Sequence, residues 1–395
     1  MTKALIVGAG IAGDTLATLL ARAGWAVTVV ELAPALRSGG QTVDLRGDAR
    51  SALEQLGLLD AAQQLLVAQR GIAWVDARGR RLAEMPVTAF DGQGFVSTEE
   101  LLRTDLAQLL HRAATQAGAI HRFGDTVDEV RDVDGGAVVR FRSGATCEYD
   151  LVVGADGAHS RVRALRFGAE DQFRHPLGLA HAWYTLREEE GTPSLDGWFL
   201  VHNAPGRRAV EARPGHPGEQ EIGFTFGATS LPPRGDAESR LALLHHVFGS
   251  VGWRAPELLA AASAAGDFTL DTYDQVRVPS WVAGRVVLLG DAAWCASPLS
   301  GLGTALALRG ATALADALGS PPVQGTRLTT ALRSYEQTMR PAAEAAQRLI
   351  PGRVNMVAPR RRSGIAANAI AMRVLQWRIL TPMIRRVGQQ RGHGG

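Results

Sequence analysis

Lys3-Ala4-Leu5-Ile6-Val7-Gly8-Ala9-Gly10-Ile11-Ala12-Gly13 opens the chain and decides its fold. Lys3 to Val7 is a short apolar run rich in β-formers, the mark of a buried strand. Gly8 to Gly13 follows at once as GxGxxG, with Ala12 before its last glycine. From Ile11 through Ala23 the apolar residues Leu16, Leu19 and Leu20 recur at helical spacing, and Gly24 ends the pattern. Trp25 to Val30 is a second strand closed by Glu31, 18 residues beyond Gly13. Strand, glycine loop, helix, strand and acid in this order form a dinucleotide-binding unit. Gly8 permits the tight turn, Gly10 lets backbone approach a pyrophosphate, and Gly13 lets helix pack closely on strand. The helix start offers N–H groups and a positive dipole end to phosphates. Glu31 supplies an acceptor for ribose hydroxyls. The motif alone does not separate FAD from NAD.

Composition bounds the rest. The chain has 395 residues, 46% hydrophobic and 21% charged, which suits a globular protein of two domains and a small further element. No apolar run reaches the roughly 20 residues of a membrane span, and the N-terminus lacks a secretory pattern, so a cytoplasmic protein is expected. Net charge is +3. Lys3 is the sole lysine and the arginines are scattered, which argues against a nucleic-acid partner. Cys147 and Cys295 form no CxxC, and the chain has no HExxH, GxSxG or Walker A motif, so no metal site is expected.

Two further stretches repeat the strand-then-loop grammar. Asp150 to Gly154 is a buried strand that runs into Ala155-Asp156-Gly157 and the basic helix start Arg161-Val162-Arg163. Asp156 there also suits a turn or helix cap. Arg285 to Leu289 leads into Gly290-Asp291, and then Pro298-Leu299-Ser300-Gly301-Leu302-Gly303-Thr304 precedes an Ala/Leu-rich helix. Between them, residues 170–275 read as strands at 180–186, 197–202, 208–213 and 220–227, with helices near 236–248 and 255–265. Trp183, Trp198 and Phe224 alternate on those strands, and both core packing and a ligand-facing wall remain open for them. His181, His202 and Arg213 are read as surface or core residues. No second GxGxxG occurs, hence no second dinucleotide-binding domain.

Together the three stretches resemble the single-component FAD-dependent aromatic hydroxylases, the group that includes p-hydroxybenzoate hydroxylase and the tetracycline-inactivating monooxygenases. The resemblance spans roughly residues 1–345, with the motifs in the family's order: Gly8–Gly13, Asp156-Gly157 and Gly290-Asp291. Tyr335-Glu336 with Arg340-Pro341 resembles the family's helix ending, and Gly39-Gly40 through Val43-Asp44-Leu45 resembles the tetracycline-modifying branch. It implies an α/β fold, a Rossmann-like FAD-binding domain with an inserted mixed β-sheet substrate domain and a C-terminal helix. The expected boundaries are 1–169 and 276–345 for FAD binding, 170–275 for substrate, and 346–395 for helices and tail.

The resemblance also assigns roles. Glu31 would hold ribose, Arg103 would lie near the pyrophosphate and ring, and Asp156 and Gly157 would help hold FAD and NAD(P)H. Asp291 would bond the ribityl and pyrophosphate region, and the loop from Pro298 through Gly301, Leu302 and Gly303 would place N–H groups beside the flavin. Arg37 and Asp44 are weaker carry-overs. Leu32, Ala305 and Gly310 depart from the family pattern. The implied activity is monooxygenation by FAD with NADPH or NADH and O₂, acting on a bulky aromatic or polyketide-like small molecule in natural-product biosynthesis or antibiotic modification, as monomer or homodimer. No catalytic acid or base is identifiable. The sole lysine and the missing WxWxIP exclude a flavin halogenase, and the missing CxxxxC excludes a disulfide reductase. A non-redox cyclase with structural flavin, or a FAD-binding protein without turnover, remain the alternatives.

Overall fold

A computed structural model describes residues 1–36, 39, 41–92 and 94–375. The strand Lys3–Val7 lies inside a six-stranded sheet. It pairs in parallel with Ala26–Glu31 on one side and Leu151–Gly154 on the other. Ile120–Phe123 and Val286–Leu288 extend the parallel order, and Val282–Ala283 closes one edge antiparallel. Both faces are covered, so the central strands read as continuous apolar runs rather than alternations. Ala4, Leu5 and Ile6 are wholly buried, as are Leu151, Val152 and Val153.

One face carries the helix Ile11–Arg22, which packs against Arg103–Gln116 and Gly303–Leu318. Gly24 ends that first helix at φ +91°, and Trp25 N–H closes back on the Leu20 carbonyl at 3.0 Å. A three-stranded antiparallel sheet (Val127–Val133, Gly136–Phe141, Thr146–Tyr149) contributes Val127, Val139 and Phe141 to the same core. The long helix Gly325–Gln347 runs through Pro341 instead of stopping there. Tyr335 of this helix donates its hydroxyl to the Leu288 carbonyl at 3.0 Å and packs beside Trp281 and Trp294.

The second layer is a seven-stranded mixed sheet. Its order is Thr269–Val276, Arg174–Arg187, Glu219–Phe226, Arg208–Pro214, Trp198–Ala204, Gly71–Val75 and Arg81–Pro86. The last two strands lie outside the expected 170–275 insertion. Gly71–Val75 pairs in parallel with Trp198–Ala204, which makes the sheet mixed and draws the first part of the chain into it. The helices Ala237–Phe248 and Ala255–Ala262 cover one face, as the reading of two helices there anticipated. On that face Ala182 sits opposite Phe224, and Phe224 meets the edge of Phe248 at 5.0 Å between centroids. The helix Arg362–Leu375 lies against Arg81–Pro86 and Trp198–Ala204 and buries Met372 beside Met85 and Ile72. The rest of the helix read over 365–384, and the tail, fall outside the described residues.

Phe224 is therefore core. Phe224→Ala is expected to destabilise the protein by about 3–5 kcal/mol, read from chemical unfolding; a loss below about 1 kcal/mol would contradict the packing described.

Candidate functional site: two adjoining clefts

The glycine loop is shaped by contacts that no side chain could share. A Cβ on Gly13 would stand 2.0 Å from the Gly8 carbonyl oxygen, and one on Gly8, at φ +108°, 2.5 Å from the Ala155 oxygen. A Cβ on Gly10 would meet nothing within 4 Å. Gly10 thus borders open space while its two neighbours in the motif border backbone. Ala12 packs against Gly290 from the other motif. The helix Ile11–Arg22 has no side-chain cap, and its first internal bond is Asp14 N–H to the Gly10 carbonyl at 2.9 Å. Its earliest N–H groups are therefore available to an anion.

A cleft runs from this helix start past Glu31, Arg103, Asp156 and Arg161. Glu31 accepts from the N–H groups of Ala9 at 3.0 Å and Ala33 at 2.9 Å, which fixes its carboxylate at the strand end. Asp156 accepts from the N–H groups of Arg161 at 2.7 Å and Val162 at 3.1 Å, so it secures a helix start while lining the cleft. Burial pushes the Asp156 pKa up, against its hydrogen bonds. Asp291 is accessible to solvent, yet surrounding protein raises its pKa, opposed by Arg103 and Cys295. It is not among the residues that line either cleft. Arg163 is wholly buried and donates to the carbonyls of Ala158 at 2.6 Å and Ala292 at 2.9 Å, tying the segment after Asp156-Gly157 to that after Gly290-Asp291.

These residues fit a flavin dinucleotide: an open Gly10 beside uncapped N–H groups, an anchored acid 18 residues past Gly13, and Arg103 near Asp291. In the loop that follows, Gly301 N–H bonds the Pro298 carbonyl and Leu302 N–H bonds Ser300 Oγ, each at 3.1 Å. Gly303 and Thr304 begin the next helix ahead of its first internal bond, Leu306 N–H to the Leu302 carbonyl. The N–H groups of Gly301 and Leu302 are thus taken within the loop, while those of Gly303 and Thr304 precede the helix bonds. Gly157 lines the cleft. Asp44 instead pairs with Arg46, its Oδ2 taking Arg46 Nε at 2.7 Å, and stands apart from the cleft lining. Arg37 falls outside the described residues.

Pro298 and Leu299 form one wall of a second cleft, whose floor is the face of the seven-stranded sheet opposite the helices Ala237–Phe248 and Ala255–Ala262. Strand register builds that floor as a row. Trp183 sits opposite Gly223, Gly223 opposite Glu211, Glu211 opposite Val201, and Val201 opposite Trp74. A Cβ on Gly223 would stand 2.9 Å from both Glu211 Oε2 and His181 Cε1, so its bare backbone lets these groups converge. Trp183 is among the residues of this cleft wall. Trp198 and Phe224 are not: Trp198 points to the other face under the Arg81 guanidinium, 4.5 Å from its ring centre, and Phe224 is buried beneath the helices.

The polar groups of this floor escaped the sequence. His181 stacks on Tyr273 at 5.5 Å between centroids, and burial drives its pKa down to about 4, so it is neutral at pH 7. Gln41 Nε2 donates to His181 Nε2, His181 Nδ1 donates to Thr225 Oγ1 at 2.8 Å, and Thr225 donates to Glu211 Oε1 at 3.1 Å. This assignment of the imidazole proton follows from the network. Burial lifts Glu211 and Glu221 each to about 7, partly opposed by Thr225 and Thr185 hydrogen bonds respectively and by Arg213. Arg213 lies over the Phe199 ring at 4.7 Å and pairs with Glu100 at 2.5 Å. Arg353 donates to the Leu299 carbonyl at 3.1 Å and brings Met356 and Val357 to the cleft. Alternation along strands fixes which residues share a face, but not which face meets a ligand.

The sequence matches the family described as FAD binding domain over residues 1–210 and 256–349. An uncharacterized protein of Mycobacterium tuberculosis is 39% identical over 321 residues, 80% of this chain and 85% of that one. A FAD-dependent monooxygenase of Sarocladium schorii is 33% identical over 362 residues, 86% of this chain and 84% of the relative. Among solved structures, the tetracycline destructase Tet(51) superposes with a TM-score of 0.78 at 28% identity, covering 95% of this chain and 97% of the other.

Two outcomes test the clefts. Gly10→Ala is expected to fold as the wild type does but to lose FAD content, whereas Gly13→Ala is expected to impair folding itself; equal FAD content in Gly10→Ala and wild type would refute the first. Folding raises the Glu221 pKa from 4.5 to about 7. Its protonated form therefore contributes stability that is complete below 4.5 and lost as pH rises through about 7. Glu221→Gln is expected to gain up to about 3 kcal/mol over wild type near pH 8, and almost nothing near pH 4.5, by denaturant titration. A gain independent of pH would show that ionisation of Glu221 is not its source.

Proposed function

This chain belongs to the FAD-binding family of flavin-dependent monooxygenases, and we propose that it uses NADPH or NADH and O₂ to hydroxylate, or to oxidise by Baeyer–Villiger insertion, a bulky aromatic or polyketide-like small molecule. The observation that carries this reading is the adjacency of the two clefts: a Cβ on Gly39, which lines the first, would stand 2.8 Å from the ring of Trp183, which lines the second. Pro298 and Leu299 front the apolar, aromatic second cleft, and the helix that their loop opens packs against the dinucleotide helix Ile11–Arg22. FAD, reduced by the nicotinamide donor, would supply the activation of O₂.

The chain's own residues would bind, orient and shield. Glu31 and the N–H groups of Ile11 to Gly13 would take ribose and phosphate, and Arg103 and Asp291 the segment toward the ring. Trp183, Trp74 and Phe199 would hold aromatic rings of the substrate, while Met356 and Val357 would exclude water from above. The chain of donors from Gln41 to Glu211 runs in one direction and ends on a carboxyl with a pKa of about 7. Such a group can accept a proton from an acidic substrate hydroxyl at neutral pH, with Arg213 steadying the resulting anion. The likeness to a tetracycline destructase supports a multi-ring substrate and a role in antibiotic modification or natural-product chemistry.

The test is the absorbance of the purified protein during NADPH or NADH addition, with and without polycyclic phenols. Flavin bands should bleach on reduction and return in air with substrate turned over. Bands that persist with both donors and every candidate substrate would remove the monooxygenase reading. Trp183→Ala should weaken substrate binding about tenfold, the equivalent of one lost aromatic contact, with FAD content unchanged.

A further inference from the structure

Beside the dinucleotide helix, outside the lining of either cleft, three metal-ligating side chains meet that the proposed reaction does not use. Asp14 lies in the first turn of Ile11–Arg22, His111 on the helix Arg103–Gln116, and His121 on the edge strand Ile120–Phe123. We propose that Asp14, His111 and His121 together bind a divalent transition-metal ion, with zinc the first candidate.

The donor atoms of the three residues all lie within 4.8 Å of one another. His121 Nε2 is 2.8 Å from Asp14 Oδ1, and His111 Nδ1 is 3.6 Å from Asp14 Oδ2. Tetrahedral zinc with bonds of about 2.0–2.1 Å sets its donors about 3.3 Å apart, between these two values. The cluster is incomplete as a hydrogen-bonded group. Asp14 is 1% exposed, and its Oδ2 has no hydrogen-bond partner among the described residues; neither has His111 Nδ1. A buried polar atom left so keeps its full desolvation cost. One cation between them would satisfy both atoms at once. Two imidazoles and a carboxylate are also the donor set that suits zinc rather than magnesium or calcium, which take oxygen ligands.

The surroundings suit an ion as well. The two imidazoles meet edge to face at 4.2 Å, and Phe123 packs against both, an apolar shell on one side. The His111 side chain is 23% exposed, which leaves an entry path and room for a water as fourth ligand. The ion would fasten the dinucleotide helix to its neighbouring helix and to the sheet edge, one turn behind Gly10. Its role is structural, and it stands independently of the substrate reading.

The experiment uses the FAD-loaded, untagged full-length protein, stripped by chelator and titrated with Co²⁺ and then Zn²⁺. One ion per chain is expected, with visible d–d bands from Co²⁺ that Zn²⁺ displaces, and a rise in Tm on Zn²⁺ addition. Asp14→Asn and His121→Gln should lose the bands and the Tm rise while keeping their FAD absorbance. His111→Asn, at a partly exposed helix position, should lose them too and guards against a variant that fails to fold. No saturable binding by the wild type, or bands and Tm shift preserved in the folded variants, would overturn the proposal.

Discussion

The closest constraint in the molecule is the approach of the first helix to the first strand. Gly13 comes so near the Gly8 carbonyl that even a methyl group would collide. This contact sets the helix axis over the sheet and aims its uncapped end into the cleft. The order of parallel strands follows from it, because Ala155 closes on Gly8 from the next strand and Gly290 on Ala12 from the following segment. Arg163 then joins the latter two segments through carbonyl oxygens in the interior. Three motifs far apart in sequence are thus one packed unit, and the cleft at the helix start is the space that packing leaves.

What sequence could disclose, and what it could not, divides along physical lines. The dinucleotide unit was legible because each part is local: a strand, its turn, its helix and the next strand are contiguous, and the glycines have steric reasons that a single chain segment explains. The strands of the second sheet were also legible as strands. Their faces were not. Trp183 and Phe224 both sit in alternating patterns, yet one lines the second cleft and the other supports two helices. Only the position of the helices Ala237–Phe248 and Ala255–Ala262 decides between them. Arg213 read as a surface or core residue for the same reason.

Long-range pairing hid the remainder. The strand Gly71–Val75 joins Trp198–Ala204 in parallel across more than a hundred residues, with no local signal. The floor row from Trp183 through Gly223 and Glu211 to Trp74 exists only once that register is set. Gly223 in particular reads as an ordinary strand-weakening glycine, and in the fold it is the gap that lets His181 and Glu211 approach. Neutral His181 and two carboxyls with raised pKa are properties of burial, which no pattern of residues in one strand reveals.

The outermost pair of strands in that sheet bears on how such proteins diversify. Because Gly71–Val75 and Arg81–Pro86 belong to the seven-stranded sheet, the stretch between residues 170 and 275 is not a transplantable cassette. Moved alone into a related scaffold, it would bring Trp198–Ala204 with unpaired backbone along one side, an invitation to aggregate. It would also arrive without Ile72 and Trp74 from the lining of the second cleft. Chimeras that exchange specificity must therefore carry the two early strands with the later ones, and recombination that cuts between them breaks one cleft into halves from different parents.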